Sequence, residues 1–462
     1  MRRKAHSKHR SHIVGLILSK FGGRCIGDVA ELAKIKNIIR GDIAIPGTAG
    51  TSAPERRYIV VSAPGKRSEE DQKITDLLYL CFSNIEHNVP YQQVFQVVCE
   101  RFLAIAAGLG IRIDLAGEFL AIQKKMEHGG TEDYIASRGE YIMAKILAAY
   151  LDMDFVDAEG LILFDKFGRL MEEETDRAIR EELEKHETAI IPGFYGTLPD
   201  GSIKTFVRGG SDITGALVAK AMHADVYENW GDRSGFLMAD PAIVENPRQI
   251  EHMTYAELRE LSYIGSPMMP EASIFPVRRA GIPLHIRSTE DLSNPGTLIT
   301  TEPYDIRWKE SELTGVAGSA NFAVFSVFRG LLGGEKGVLR KILSVFEDWD
   351  ISVEHVPSGI DSLSVIVSAD AVEGKEDEIV DELRRKIRPE NVVVERVALM
   401  NVVGSAFYHR PGCAAKTMTA LAKEGISLRM IDQGASEINI ILGVAPEEFE
   451  TAVRAIYKAF EG

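Results

Sequence analysis

Two short segments of the sequence place a basic residue just before a pair of glycines. In "SKFGG" the basic residue is Lys20, and in "RGGSD" it is Arg208; a helical pattern follows each pair. Glycines at a helix N-terminus leave backbone N–H groups exposed, and the helix dipole adds positive potential there. Neither segment matches a Walker or dinucleotide-binding pattern. One such turn is most often structural, but the two together favour a polyphosphate site.

Three carboxylates accompany these turns and the predicted helix starts. Asp212 follows the second glycine pair, and Asp232 lies beside Trp230. Phosphoryl transfer depends on positioning and charge neutralisation, which carboxylates support by holding a metal ion or a reacting group. Glu140, in the first turn of a helix that Ser137 is predicted to cap, is placed to orient a substrate amine. Taken singly, each carboxylate is better explained as a helix cap or a solvated side chain.

A polar loop, "SAPGKRSEEDQKITD", follows the second predicted strand. Two hydroxyl residues, Ser62 and Thr75, bracket it. Such a loop is suited to holding a small polar ligand, because binding residues are commonly carried on loops between rigid elements. Ordinary loop and cap hydroxyls are the alternative explanation for both residues.

Composition and charge exclude several functional classes. The 462 residues predict two or three domains, and the net charge of −15 argues against general nucleic-acid binding. The four cysteines are far apart and have no metal-ligand spacing, which predicts a reduced, cytoplasmic protein without a resident metal site. The basic start is predicted to be a disordered tail rather than a signal peptide. No segment is long and apolar enough to span a membrane, so no membrane partner is expected.

The elements that must position these residues form two different patterns. Over the first three hundred residues, short β-rich runs alternate with amphipathic helical patterns, which indicates a layered α/β domain. The rest of the chain is an internal repeat with an offset of 75: "ISVEHVPSG" at 351–359 overlies "ISLRMIDQG" at 426–434, and "SLSVIV" overlies "EINIIL". Each copy is predicted to contain, in this order, a glycine turn, a helix, a strand, a turn, a strand and a helix. Two copies of one small α/β unit are therefore predicted.

The order of several motifs resembles that of the aspartate kinases. The resemblance covers roughly residues 13–462 and rests on "SKFGG", "VVSAPGK", "SRGEYIMAKILAAYL", "IPGFYG", "RGGSDITGALVAKAM", "ENWGDRSGFLMADP" and "AGIPLHIRST". The repeated tail resembles the paired ACT regulatory domains of that family, with "VPSGID" and "MIDQGASEINIILGV" as its most specific parts. The monofunctional type is implied, because no homoserine dehydrogenase segment follows.

The resemblance implies a fold, a domain organisation and a reaction. The fold is a three-layer α/β/α sandwich of the amino-acid-kinase type, followed by two ferredoxin-like (βαββαβ) ACT domains. The predicted borders are a basic tail at 1–12, the kinase domain at 13–303, a linker at 304–319, and ACT domains at 320–397 and 398–462. The implied reaction transfers the γ-phosphoryl group of ATP, with Mg²⁺, to the side-chain carboxylate of L-aspartate. This is the first step toward lysine, threonine and methionine.

The resemblance also assigns roles to residues of the kinase domain. Lys20, Arg208 and Asp212 are implied in catalysis. Substrate contacts are implied for Ser62, Thr75, Glu140, Arg208 and Ser211, with Glu140 at the amino group and Arg208 at the carboxylate. ATP contacts are implied for Lys20, Gly22, Gly23, Gly210, Trp230, Asp232 and Asp240.

The tail is expected to sense an amino acid and to form a homodimer. The residues that match the family's effector site are Gly337, Val338, Leu339, Glu354, Ser358 and Asp361. An acid at Glu354 is compatible with a cationic effector, which makes lysine the more probable effector than threonine. A solvated strand residue is the alternative explanation of Glu354.

Five positions depart from the family pattern, and all are expected to face ATP. They are Arg24, Cys25, Gly231, Ala242 and Pro267. Loss of cations beside a triphosphate removes charge-assisted contacts worth roughly 1.5–3 kcal/mol each. A catalytically weakened or silent amino-acid sensor is therefore an alternative to the kinase. A related kinase acting on another carboxylate is a third hypothesis, and the paired ACT units argue against it.

Overall fold

The computed structural model describes residues 15–41, 55–207, 209–264, 269, 271–302, 312–330, 336–405, 407, 410–433 and 436–461. The basic tail, Arg208 and Pro267 lie outside these residues. The chain divides into two compact units, Met1–Phe236 with Met269–Glu302, and Leu237–Met268 with Pro303–Gly462. This division differs from the predicted borders, because Leu237–Met268 clusters with the C-terminal unit rather than with the kinase domain.

The first unit is built on a mixed sheet. The strands of this sheet are β1 (Leu16–Phe21), β2 (Glu55–Val61), β3 (Asp154–Phe155), β4 (Ala189–Pro192), β7 (Val226–Gly231), β11 (Leu284–Ser288) and β12 (Thr297–Thr300), while β5 (Tyr195–Thr197) and β6 (Ile203–Thr205) form a separate antiparallel pair. Strand β8 (Phe236–Leu237) lies at the border of the two units, and β9 (Gln249–Ile250) and β10 (His252–Thr254) belong to the second unit. Within this unit the main sheet runs β12-β11-β7-β1-β2-β4-β3. All neighbours are parallel except β11 and β12.

Helices cover the two faces of this sheet. They are α1 (Val29–Arg40), α2 (Ile74–Glu86), α3 (Gln92–Gly108), α4 (Leu115–Glu127), α5 (Glu132–Leu151), α6 (Glu172–Leu183) and α7 (Gly210–Ala221), with α9 (Glu271–Ala280) after α8 (Tyr255–Ile264) of the second unit. The helices α1 to α5 share one apolar core with Phe21, Ile59 and Val61 of the strands. Helix α7 packs on β1 and against α6 and α9. The predicted three-layer fold is confirmed.

Helix α5 begins earlier than the sequence predicts. Thr131 is its N-cap and accepts a hydrogen bond from the backbone N–H of Tyr134 at 3.2 Å. Ser137 and Glu140 therefore lie inside the helix, and the prediction that Ser137 caps it was wrong. The hydroxyl of Ser137 instead donates to the carbonyl of Tyr134 at 2.7 Å. The first turn of α5 is polar, so the apolar periodicity that predicts a helix begins only after it.

The second unit contains a six-stranded antiparallel sheet. Its elements are β13 (Gly315–Phe328), α10 (Val338–Asp348), β14 (Val353–His355), β15 (Ser362–Ser368), α11 (Ala369–Val372), α12 (Glu376–Ile387), β16 (Asn391–Val403), α13 (Cys413–Lys423), β17 (Met430–Asp432), β18 (Asn439–Val444) and α14 (Phe449–Glu461). The strand order is β14-β15-β13-β16-β18-β17. Helices α10 and α13 start at Val338 and Cys413, and 413 − 338 = 75, which confirms the repeat offset.

The two repeats share their two longest strands. The second half of β13 pairs with β15 and with the first half of β16, whereas residues 315–319 pair with residues 399–403 of β16, which in turn pairs with β18. The second repeat thus takes its fourth strand from residues that precede the first repeat. The predicted linker at 304–319 differs from this arrangement, because its residues from Gly315 onward are strand. Residues 304–311 lie outside the described part of the chain.

Candidate active site

The carboxyl ends of three neighbouring parallel strands form the candidate site. Strand β1 lies between β7 and β2, and Lys20 pairs with Asn229 on one side and Val60 on the other. The chain continues from β1 through α1 to β2, whereas β7 lies on the opposite side of β1. Such a switch in strand order opens a crevice where ligands bind in open α/β sheets. The sheet therefore presents the predicted lysine at its binding edge.

An ion pair occupies this edge. The ammonium of Lys20 lies 2.6 Å from Oδ1 of Asp212, and the side chains are 8% and 20% exposed. Asn229 donates from Nδ2 to the same oxygen at 2.7 Å. Asp212 is in the first turn of α7, where the backbone of Gly209 has a φ of 62°, a conformation that favours glycine. The second glycine turn leads into α7 as predicted, whereas its predicted cation, Arg208, lies outside the described residues.

The first glycine turn is closed by backbone contacts. The N–H of Gly22 donates to the carbonyl of Trp230 at 2.9 Å, and the N–H of Gly65 donates to the carbonyl of Gly23 at 2.7 Å. A Cβ atom on Gly23 would lie 2.7 Å from the carbonyl oxygen of Ala63, so only glycine fits here. The N–H of Gly22 is thus already used, which corrects the expectation that it is a free donor for phosphate.

Glu140 is a buried acid. It is 4% exposed, and its Oε2 atom has no hydrogen-bond partner among the described residues. Burial raises the pKa of Glu140 to about 8, although backbone hydrogen bonds, including one from Ala63, oppose the shift. The neighbouring Gly139 packs against Ala63, the residue that follows Ser62. Glu140 is therefore joined to the polar loop after β2, and a ligand ammonium could supply the missing partner.

The three predicted hydroxyl residues lie at the end of one strand and at the starts of two helices. Ser62 directly follows β2, and its N–H donates to the carbonyl of Phe21 at 3.2 Å. Thr75 is in the first turn of α2. Ser211 is in the first turn of α7, and a Cβ atom on Gly193 would lie 2.6 Å from its side chain. Arg208 lies outside the described residues, so its predicted contact with a substrate carboxylate stays a prediction.

Trp230 does not face the site with its side chain. The ring is fully buried and stacks on Phe21, with ring centroids 6.0 Å apart, while the guanidinium of Arg287 lies 4.7 Å from its centroid. Its indole N–H donates to Glu228 at 2.9 Å. Because β7 turns alternate residues to opposite faces, the Trp230 ring points into the α1–α5 core, and the implied ATP contact of this residue stays a prediction. Only its backbone carbonyl reaches the glycine turn.

A fully buried ion pair supports the same strands. Arg56 on β2 donates from Nε and one terminal nitrogen to Glu228 on β7, both at 2.8 Å. Ser19 on β1, which lies between them, donates to Glu228 at 2.8 Å. Burial alone would raise the pKa of Glu228, but the Arg56 guanidinium overrides this and lowers it to about 2. Sequence reasoning missed this pair and Asn229, although charged and amide residues inside the apolar run "VYENWG" were an available signal.

Comparison with known proteins decides between the hypotheses. The amino acid kinase family matches residues 15–288, and the ACT domain matches residues 400–460. Aspartokinase 3 of Bacillus subtilis is 32% identical over 458 residues, covering 96% of this chain and 98% of the relative. The chain belongs to the aspartokinase family. This similarity over nearly the whole chain favours the kinase over a silent amino-acid sensor.

Solved aspartokinases share the fold. An allosteric aspartate kinase from Clostridium acetobutylicum is 43% identical, with a TM-score of 0.88 and coverage of 96% of this chain and 99% of that one. Aspartokinase III of E. coli has been solved with aspartate and ADP, and with lysine and aspartate. These two structures are 21% and 22% identical to this chain, with TM-scores of 0.70 and 0.71 and coverage of 97% of this chain and 100% of theirs.

The residues that depart from the aspartokinase pattern differ in burial and in position. Cys25 is 1% exposed and belongs to the α1–α5 core, where burial raises its pKa to about 11. The expectation that its side chain faces ATP was therefore wrong. Arg24 is exposed and pairs with Asp232 at 2.7 Å. Gly231 ends β7 opposite Ser288. The main chain of Ala242 donates to Asp240 at 2.9 Å, within the second unit.

The predicted effector residues all lie in the first repeat of the second unit. Gly337 caps α10 with a φ of 84°; Val338 is buried, and Leu339 is exposed. Glu354 is on β14, and its carbonyl accepts a hydrogen bond from the hydroxyl of Tyr263 at 3.1 Å. Ser358 and Asp361 are exposed in the following turn. The offset of 75 puts Arg429 of the second repeat at the place of Glu354, so the repeats differ in charge at this position.

The described part of the chain contains no group of three or more His, Cys, Asp or Glu residues that could hold a metal ion. None of its helices is long and apolar enough to cross a membrane. The first observation leaves room for Mg²⁺, which commonly binds through one or two carboxylates together with substrate phosphates.

Proposed function

We propose that this chain transfers the γ-phosphoryl group of ATP to the side-chain carboxylate of L-aspartate. A carboxylate oxygen of aspartate attacks the γ-phosphorus, the bond between that phosphorus and the β,γ-bridging oxygen breaks, and ADP leaves with the electron pair. The products are 4-phospho-L-aspartate and ADP. The observation that carries the proposal is the Lys20–Asp212 ion pair, at 2.6 Å, at the carboxyl edge of the parallel strands. It supports the proposal because phosphoryl transfer requires a preorganised cation beside the migrating charge.

Lys20 and Asp212 have complementary roles in this proposal. The Lys20 ammonium neutralises charge on the phosphoryl oxygens and must turn from Asp212 toward the nucleotide when ATP binds. Asn229 continues to donate to Asp212 at 2.7 Å, which keeps that carboxylate in place. The main-chain turns at Gly23 and Gly210, together with Asp232, are proposed to line the nucleotide side, and an ATP contact of Asp240, a residue of the second unit, stays a prediction.

Glu140 is proposed to hold the amino group of aspartate. An ammonium entering the pocket would supply the partner that Oε2 lacks, and the carboxyl group would release its proton. Ser62, Thr75 and Ser211 are proposed to bind the polar groups of the substrate, and Arg208 its α-carboxylate. The pocket so defined combines one buried acid with hydroxyls and a cation, which matches a small zwitterion that carries an additional carboxylate.

The carboxylates at this edge fit a magnesium–nucleotide complex. Asp212 is partly exposed and Asp232 is exposed, and both are hard oxygen donors of the kind that Mg²⁺ prefers. These two residues would hold the ion. When bound, Mg²⁺ neutralises charge on the β- and γ-phosphates.

A coupled assay of ADP release tests the proposal. The assay contains ATP, Mg²⁺ and hydroxylamine, with and without L-aspartate, so that an acyl phosphate is trapped as the hydroxamate. Lys20→Ala is the blank, and Lys34→Ala is the matched control, because Lys34 pairs with Glu31 and Glu290 on the surface. We expect aspartate-dependent ADP and hydroxamate from the wild type and the control, and none from Lys20→Ala. ADP release that ignores aspartate would overturn the proposal.

The second unit is proposed to bind a feedback amino acid and to join two copies of the chain. Glu354 favours a cation, so lysine is expected to inhibit more strongly than threonine, as the lysine complex of the E. coli enzyme suggests. Glu354→Gln should weaken lysine inhibition, and Arg429→Gln, at the equivalent place in the second repeat, should leave it unchanged. Sedimentation should give a homodimer. The enzyme is expected to act in the cytoplasm.

A further inference from the structure

Arg101 lies outside the site described above, yet it contacts the loop that the site depends on. It is on α3 and is 6% exposed. Its guanidinium donates to the carbonyl of Gly65, to the carbonyl of Gln72 at 2.9 Å, and to the carbonyl of Gly27 at 3.5 Å. It also forms an ion pair with Asp71 at 3.3 Å. Three of these four partners belong to the polar loop between β2 and α2.

The contacts join both ends of that loop. Residues 62–73 connect the end of β2 to the start of α2, and Gly65 lies near the beginning while Gln72 lies near the end. The loop begins at Ser62 and leads to Thr75, both of which are proposed substrate contacts. The Arg101 side chain therefore fixes the distance between the two ends of the loop. It thereby also fixes the positions of the Ser62 and Thr75 hydroxyls.

The same contacts connect the loop to the first glycine turn. Gly65, whose carbonyl accepts from Arg101, donates its N–H to the carbonyl of Gly23 at 2.7 Å. The contact with Gly27 brings the end of the 3-10 helix Gly23–Ile26 into the same cluster. The substrate loop and the nucleotide turn are thus fixed to one guanidinium, and the shorter contacts are those to the substrate loop.

The middle of the loop is held separately. Arg67 donates from its main chain and its side chain to Asp71 at distances of 3.0, 2.9 and 3.1 Å. The Arg67 hydrogen bond is the main reason that the pKa of Asp71 lies below its usual range. Asp71 therefore remains charged and available to Arg101. The loop is a small network with a single buried cation at its base.

The choice of residue is informative. Burying a guanidinium is costly unless its donors are paired, and an apolar side chain at this place on α3 would pack without that cost. Arginine alone offers five donors in a planar fork, so it can bridge several carbonyls that lie in different segments. An apolar side chain would suffice for the packing of α3, whereas a fixed loop shape requires several donors in a planar arrangement.

We propose that Arg101 is a positioning residue for aspartate: it clamps loop 62–73 so that Ser62 and Thr75 face the substrate. This inference rests on the proposed function of the site. It assigns no chemistry to Arg101, which acts only through the loop. Its loss should weaken aspartate binding more than ATP binding, because the loop contacts outnumber the single long contact to Gly27.

The test compares Arg101→Met with Arg57→Met. Arg57 is the matched control, because it also donates to two main-chain carbonyls of the first unit, those of Glu187 and His186, at 2.8 and 3.3 Å. Steady-state kinetics should show that Arg101→Met raises the KM for aspartate by about tenfold or more, since small misplacement of binding groups has effects of this order. The KM for ATP and the control variant should change little.

Limited trypsin digestion of the ligand-free, full-length chain gives a second readout. Lys66 and Arg67 are exposed cleavage points inside the loop. Cleavage there should be faster in Arg101→Met than in the wild type and unchanged in Arg57→Met. Should Arg101→Met fail to fold, Arg101→Lys takes its place, with a smaller but measurable rise in the KM for aspartate, because an ammonium cannot bridge the same set of carbonyls.

The outcomes separate the clamp from the reaction. A folded Arg101 variant with an unchanged KM for aspartate overturns the clamp, even if its melting temperature falls, because that result describes a structural role alone. If the wild type shows no aspartate-dependent turnover, the proposed function fails and the rate of loop cleavage decides. Cleavage that does not respond to the Arg101 substitution then overturns the clamp as well.

Discussion

Two ion pairs that involve neighbouring strands of the same sheet differ in their access to solvent. Arg56–Glu228 is 1% and 0% exposed, whereas Lys20–Asp212 is 8% and 20% exposed. Both link elements that meet at β1. Glu228 accepts four hydrogen bonds, from two nitrogens of Arg56, the hydroxyl of Ser19 and the indole of Trp230. The buried pair is fully satisfied and closed to ligands.

The pair at the sheet edge keeps access to solvent. Its carboxylate belongs to the first turn of α7, so a modest turn of the Lys20 side chain can exchange Asp212 for a phosphate oxygen. A buried pair cannot make such an exchange, because separating it would leave an uncompensated charge in the core. The two ion pairs thus differ in accessibility, and a ligand can reach only the pair at the sheet edge.

Breaking the buried pair should have the largest effect on stability. Arg56→Met is expected to lower the free energy of unfolding by about 3–5 kcal/mol, because Glu228 would remain charged and unpaired in the core. Urea unfolding followed by tryptophan fluorescence measures this loss. Arg57→Met, on the same strand but partly exposed, is the control. A loss no greater than that of the control would contradict the assigned role.

Breaking the pair at the edge should instead reduce activity. Lys20→Met is expected to lower kcat/KM by about 10²–10³, as removal of a single preorganised transition-state donor does in other enzymes. Its unfolding free energy should change by less than about 1 kcal/mol, because Asp212 is partly solvated and retains Asn229. A large loss of stability with little loss of activity would reverse the comparison.

Removing the third member of the edge cluster should have an intermediate effect. Asn229→Leu keeps the shape of the side chain but deletes its hydrogen bond to Asp212. We expect kcat to fall by about tenfold, equivalent to about 1.4 kcal/mol, because Asp212 loses orientation and not charge. Asn229→Asp, which places a second carboxylate beside Asp212, should be worse. Equal activities of the two variants would exclude the orienting role.

Glu140 should give an effect of another kind, a change in the pH dependence of stability. Its pKa rises from 4.5 in the unfolded chain to about 8 in the ligand-free fold. The folded state therefore binds more protons between these values, and its stability falls as pH rises through that window. Glu140→Gln should remove this slope.

Thermal melts measure the effect of Glu140. We expect the wild type to lose at least about 2 °C more than Glu140→Gln between about pH 5 and pH 8. Saturating aspartate should reduce the difference, because its ammonium stabilises the charged carboxylate. Parallel pH profiles of the two proteins without ligand would show that Glu140 is not held protonated.

Features that depend on neighbouring residues could be predicted from the sequence, whereas features that depend on distant residues could not. The two glycine pairs, Gly22–Gly23 and Gly209–Gly210, each followed by a helix, and the repeat offset of 75 are local patterns, and the structure contains them. The start of α5 was misplaced, because its first turn is polar while its interior is apolar. The shared strands of the two repeats were missed, because the pairing of residues 315–319 depends on partners at residues 399–403, far along the chain.

The sequence by itself determined which residues have the chemistry for the reaction. Lys20 lies near the end of a buried strand and precedes glycines, and Asp212 follows another glycine turn; both facts come from neighbouring residues, because turns and helix starts are local events. Only the tertiary structure decided which acid meets Lys20, that Trp230 turns into the core, and that Arg101 holds the substrate loop. Arg56 and Glu228 are 172 residues apart. Long-range pairing of this kind depends on how the sheet brings its strands together, and no local pattern records it.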